Sequence, residues 1–360
     1  MKTLLLGDVC PTAATSPYFK EKNIPELFGD TASLFEDKDF VLVNLECAIT
    51  EHDTPIKKFG PPLKAPLETA EVLKTVGVTC CGLSNNHIFD FGKKGVFDTL
   101  EALDKADIDH TGFGDNYEDS RKNYTFRLNG ERICIIAVCE HEYSYALDDR
   151  MGSRPFDEYD TMEDIRLAKE AHDRVIVTYH GGKEMCQYPS PRLMKLCRAM
   201  AKNGADVVLC QHTHCIGAYE KYNDCHILYG QGNFHFVWPG EGELWNNQFA
   251  VEYDTKSHEI SFIPVRNGDH GISLTAGEDK NRIMSEFEYR NGTLQNGEWK
   301  KGWHDFCESK KEKYIKIIRE ACLPDSTEIC DHKFAHYLDC EAHTDVWREL
   351  FPTYNQSNDK

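Results

Sequence analysis

Short unbroken apolar runs, each followed at once by polar groups, recur along the chain. Residues 3–6 lead into Gly7-Asp8, 40–43 into Asn44-Leu45-Glu46, and 78–83 into Ser84-Asn85-Asn86-His87. Residues 174–179 lead into His180, and 207–210 into Gln211-His212-Thr213-His214. Such runs, bounded by turn residues, read as strands covered on both faces, as in a parallel sheet. Further strands are predicted over 132–138 and 226–229, and a hairpin over 248–253 and 260–265. Apolar residues at helical spacing predict helices over 67–76, 95–106, 164–173 and 191–202. Gly77 closes the first and Asn203-Gly204 the last. Strands alternating with helices predict an α/β fold.

The 360 residues suffice for one large α/β domain. The predicted division is a main domain over 1–270 and a mostly helical C-terminal extension over 271–360, packed on it. The extension is rich in charge and reads as helices with solvated faces. It carries His332, His336 and His343, but no ligand pair has the spacing of a structural zinc site. The net charge of −19 argues against binding nucleic acid or an anionic membrane. The fifteen cysteines are odd in number, irregularly spaced and without a CxxC pair, which points to a reducing compartment. The first apolar run is too short for a signal peptide, and no run approaches the ~18 residues of a membrane span. A cytoplasmic location is the expectation.

The polar residues after the strands decide the chemistry. Asp8, Glu46, Asn86 with His87, His180, and His212 with His214 follow five separate strands. A lone His-x-His pair is as readily two solvated histidines, and a lone aspartate after a strand is a common turn residue. In an open α/β fold, however, the carboxyl ends of the strands converge on one crevice. Two carboxylates, one amide and three imidazoles form a mixed oxygen and nitrogen set suited to divalent first-row ions. A carboxylate bridges two such ions at ~3.5–4 Å, and the pair activates water and clamps a phosphoryl oxygen. His87 is then left to protonate a leaving group.

These residues resemble a known family. Gly7-Asp8, Asn44-Leu45-Glu46, Asn85-Asn86-His87 with Asp90-Phe91-Gly92, His180-Gly181-Gly182-Lys183-Glu184, His212-Thr213-His214 and Tyr229-Gly230-Gln231-Gly232-Asn233-Phe234 are similar to the CapA proteins of poly-γ-glutamate capsule synthesis, in the calcineurin-like metallophosphoesterase superfamily. The resemblance covers roughly residues 3 to 265. It implies a four-layer α/β/β/α sandwich with the site at the sheet edges, holding one or two divalent ions (Mn, Fe or Zn). It assigns Asp8 and His214 to one ion, Glu46 as a bridge, and Asn86, His180 and His212 to the second. His87 becomes the general acid, oriented by Asp90, while Asn44, Glu184 and Asn233 line the cleft. The superfamily's first motif is Asp-x-His, whereas Cys10 stands at the third position here. Cys10 is either a thiolate ligand or a sign that the first ion is held weakly.

Three functions fit these observations. The first is a metal-dependent hydrolase of phosphate esters or related substrates in capsule metabolism. The second is an enzyme or accessory protein directed at γ-glutamyl amides, since activated water attacks a carbonyl as well as phosphorus. The third is a non-catalytic metal-binding scaffold.

Overall fold

The computed structural model describes residues 2–140 and 143–353. Two sheets face each other. The first has eight strands. Its order runs Ile272–Leu274, Glu259–Asn267, Asn247–Asp254, Lys2–Val9, Phe40–Leu45, Cys80–Gly82 and Asp109–Thr111, and Asn233–His235 also pairs with Lys2–Val9. The second has six, in the order Tyr219–Tyr222, Cys225–Leu228, Val207–Gln211, Arg174–His180, Glu131–Cys139 and Tyr124–Leu128. The central strands of each are parallel, so their carboxyl ends lie on one edge.

Side-chain alternation builds the layers. Leu5, Leu42, Ile135, Ile176, Leu209 and Val251 point between the sheets and form a shared core. Their neighbours Leu4, Leu6, Val41 and Val43 point outward, under helices that include Thr69–Val76. Ile136, Val177 and Val208 point outward from the second sheet, against Ile165 of helix Glu158–Ala171 and Leu196 of helix Pro191–Lys202. The result is the four-layer α/β/β/α sandwich that the resemblance implies. With both faces of each strand covered, the apolar runs are continuous.

Strand Ile272–Leu274 pairs with Glu259–Asn267, so the sheet runs past residue 270. The helices that follow bury one face and expose the other. Trp303, Tyr314, Ile317, Tyr337 and Val346 form a core of their own, closed by Cys186 and Phe59 from the loops of the main body. The charge of the segment hides this core, because each helix keeps a polar outer face. Among the described residues no helix is long and apolar enough to cross a membrane.

One buried titratable group lies beside the sheet. His235 is fully buried between Phe19 and Phe28, and its Nε2 contacts the Leu27 carbonyl at 3.2 Å. Burial pushes its pKa down to about 4. The unfolded chain therefore binds a proton below about 6.5 that the fold refuses until about 4, and stability is lost as pH falls through that window. The gap corresponds to at most about 3–4 kcal/mol. In thermal unfolding between pH 7 and 4, His235→Phe should show a shallower loss of stability than the wild type.

Candidate metal centre

The first strand delivers Asp8 through an irregularity. Its pairing with Phe40–Leu45 shifts register between Leu5 and Asp8, and its pairing with Asn233–His235 shifts again after Asp8. Such a bulge re-aims the side chain that follows. Gly7 makes it possible, since a Cβ there would lie 2.1 Å from the Gly232 carbonyl oxygen. Asp8 then accepts from the Asn44 side-chain amide at 2.7 Å and from the His212 backbone N–H at 3.1 Å.

His212 and His214 are also placed by unusual backbone. Both adopt left-handed conformations, with φ of 73° and 52°. Non-glycine residues are held there only where the surroundings over-determine them, commonly at functional sites. The His214 ring is fixed by Asn233, whose Oδ1 lies 2.8 Å from Nδ1. If Nδ1–H donates to that oxygen, Nε2 is left with the lone pair.

The six expected ligands meet at the junction of the two sheets. Asp8, Glu46 and His180 offer donor atoms all within 4.8 Å of one another, and so do Glu46, His212 and His214. Glu46 belongs to both groups. Asp8 lies between the two groups, with Oδ1 3.7 Å from His180 Nδ1 and Oδ2 3.6 Å from His214 Nδ1. Asn86 joins through His180, with its Oδ1 at 2.9 Å from Nε2, and Glu46 Oε1 lies 3.2 Å from the same nitrogen.

These residues fit a divalent cation on two observations. Both carboxylate oxygens of Glu46 and Nδ1 of His212 are buried without a hydrogen-bond partner. An orphaned buried carboxylate is costly unless a cation completes it. Moreover, two donors each about 2.1 Å from one ion stand about 3.0–3.5 Å apart, and Glu46 Oε1 stands 3.2 Å from His180 Nε2.

The electrostatics describe the same strain. Burial and the neighbouring Glu46 push the Asp8 pKa up to about 6. Burial likewise raises Glu46 and pushes His180 down to about 4. Burial opposes charge on His214, but Glu46 and Asp8 outweigh it and raise its pKa.

His87 stands beside the ligands. Its Nδ1 is 2.7 Å from Asp90 Oδ2 and 3.2 Å from the Lys58 ammonium, which also holds Asp90 Oδ1 at 2.5 Å. Burial and Lys58 lower the His87 pKa, and Asp90 opposes them. Asn44 bridges Asp8 and His180, with its Nδ2 at 3.1 Å from His180 Nδ1. Glu184 is exposed on the loop after His180, with Lys183 at 3.4 Å. Cys10 is buried and belongs to neither ligand group, and burial raises its thiol well above the ordinary range. Sequence reasoning passes over Lys58, Glu140 and Arg192. Glu140 carries the same signal as the others, a charged residue just past the end of strand Glu131–Cys139. Lys58 carries none, since it sits in a proline-rich loop.

A buried, mixed-ligand cluster at the parallel edge of an α/β/β/α sandwich defines a protein with a candidate divalent-metal centre. The comparisons then name the family. Residues 2–237 match the model of the bacterial capsule synthesis protein PGA_cap, and the chain belongs to that family. It is 27% identical over 296 residues to the capsule biosynthesis protein CapA of Bacillus anthracis, covering 78% of this chain and 71% of that one. It is 29% identical over 236 residues to the PGA biosynthesis protein CapA of Bacillus subtilis, covering 64% of this chain and 62% of that one. Among solved structures, a putative 5'-nucleotidase from Staphylococcus aureus aligns over 80% of this chain and 58% of its own at 14% identity, with a TM-score of 0.43. That likeness is too loose to bear on function.

If a cation answers the orphaned carboxylate, its removal should expose the penalty. In chelator, Glu46→Gln should be more stable than the wild type, by about 1–2 kcal/mol. Adding Mn2+ should raise the melting temperature of the wild type and leave that of the variant unchanged. Equal responses in a thermal-shift titration would refute the assignment.

Proposed function

We propose that this chain is a divalent-metal-dependent hydrolase of capsule metabolism, with the γ-glutamyl polymer as its substrate class. The observation that carries the reading is Glu46, a wholly buried carboxylate with neither oxygen hydrogen-bonded and shared by two ligand groups. The names of the Bacillus relatives, for capsule and PGA biosynthesis, favour the γ-glutamyl polymer over a phosphate ester.

Asp8, Glu46, Asn86, His180, His212 and His214 would hold one or two ions. Such ions supply Lewis-acid polarisation of the scissile group and activation of water. The chain's own residues do the rest. Asn44 and Asn233 orient their neighbours Asp8 and His214 through the hydrogen bonds described above. Hydrolysis adds an oxygen to the carbonyl carbon and a proton to the departing nitrogen. His87 would deliver that proton, a reading supported by the contact of its Nδ1 with Asp90, which leaves Nε2 for the substrate. Its lowered pKa makes the imidazolium a stronger acid.

A second reading, the non-catalytic scaffold, draws on Cys10 in place of a histidine. The two separate cleanly. Purified protein should contain Mn, Fe or Zn, and should shorten poly-γ-glutamate in a metal-dependent manner seen by size-exclusion chromatography. His87→Gln should lower that rate by about 10²- to 10⁴-fold with metal content intact. Hydrolysis of an aryl phosphate in place of the polymer would move the reading to phosphate esters. Metal-loaded protein silent on both, whose His87→Ala form still complements a capsule-deficient strain, would establish the scaffold.

A further inference from the structure

A buried chain of charges links the C-terminal helices to the candidate metal centre. It starts at His180. Glu140 brackets the turn after this residue from both sides. Its backbone N–H donates to the His180 carbonyl at 3.0 Å, and its Oε2 accepts from the Gly182 N–H at 2.8 Å. The packing leaves no slack, since a Cβ on Gly181 would lie 2.5 Å from Glu140 Cγ. The other carboxylate oxygen of Glu140 accepts from the Tyr179 hydroxyl at 2.6 Å and from Arg192. Arg192 Nε in turn reaches both oxygens of Asp345, at 3.1 and 2.9 Å. Asp345 also accepts from the Ser190 hydroxyl at 2.6 Å, and Ser190 caps helix Pro191–Lys202.

Asp345 lies in helix Glu341–Leu350, more than a hundred residues beyond the end of the family match at 237. Its side chain is only 5% exposed, and that of Glu140 3%. Without it the guanidinium would answer to Glu140 alone, at the edge of solvent. Glu140 would then be free to follow Arg192 and release the Gly182 N–H.

We infer that Asp345 is a positioning residue of the site, which holds the His180–Gly182 turn in place through Arg192 and Glu140. The C-terminal segment therefore completes the centre without supplying a ligand. This inference rests on the metal-centre reading only for its effect on affinity, because the ordering of the turn is a property of the chain itself.

The test uses the full chain as wild type, Asp345→Asn, Arg192→Lys and Val346→Ala. Val346 follows Asp345 in the same helix, carries no charge and is buried in the tail core. Two quantities are measured, hydrogen exchange of the segment 178–184, which leaves out the tail-core residue Cys186, without metal, and Mn2+ affinity by calorimetry. Asp345→Asn and Arg192→Lys should each speed exchange in that segment and weaken Mn2+ binding about tenfold, the lower end of what loss of an outer-shell partner does. Val346→Ala should lower the melting temperature and change neither. Wild-type exchange and affinity in the first two variants would overturn the inference, as would the same changes in Val346→Ala. Should Asp345→Asn not fold, Arg192→Lys decides. A wild type that binds no Mn2+ would end the metal-centre reading, and exchange would still decide the role of Asp345.

Discussion

Two carboxylates, Asp8 and Glu46, are held together in a place water cannot reach, and the cleft is arranged around that constraint. Like charges so close, and so dry, are unstable unless positive charge is brought to them. The chain supplies part of the answer in the ring of His214, whose pKa they raise, and in the amide of Asn44. Glu46 receives no hydrogen bond at all. The arrangement is a candidate site for a divalent cation.

Much of the architecture is legible in the chain because parallel strands buried on both faces leave continuous apolar runs. Strand Arg174–His180 and helix Pro191–Lys202 stand within a residue of their expected bounds. The candidate ligands are legible for a related reason, since parallel strands end on one edge and bring the polar groups that follow them together. What is not legible depends on contacts across long distances. The short strand Asp109–Thr111 is half exposed and gives no apolar signal. Lys58 matters only because its loop folds over His87 and Asp90. The buried face of the tail helices is interrupted by charge at nearly every turn, so composition speaks of solvent where packing speaks of core.

Glu140 teaches a different lesson. It follows a strand as clearly as His180 does, yet its role is to hold backbone. The carboxylate spends its oxygens on Tyr179, Gly182 and Arg192, and none is left for the cleft. Position at a strand end thus identifies residues of the site, and only the partners distinguish a ligand from a brace.

The ligand groups come from both sheets. Asp8, Glu46 and Asn86 belong to the strands and loops of the larger one, His180, His212 and His214 to those of the smaller. An ion bound among them is a rivet through the seam where the two halves of the sandwich meet. Its binding energy would then resist the sheets sliding or parting, and at a hundred times its dissociation constant would add about 2.7 kcal/mol to that resistance. Loss of the ion would loosen the molecule along this seam first, far from the helices that armour its outer faces.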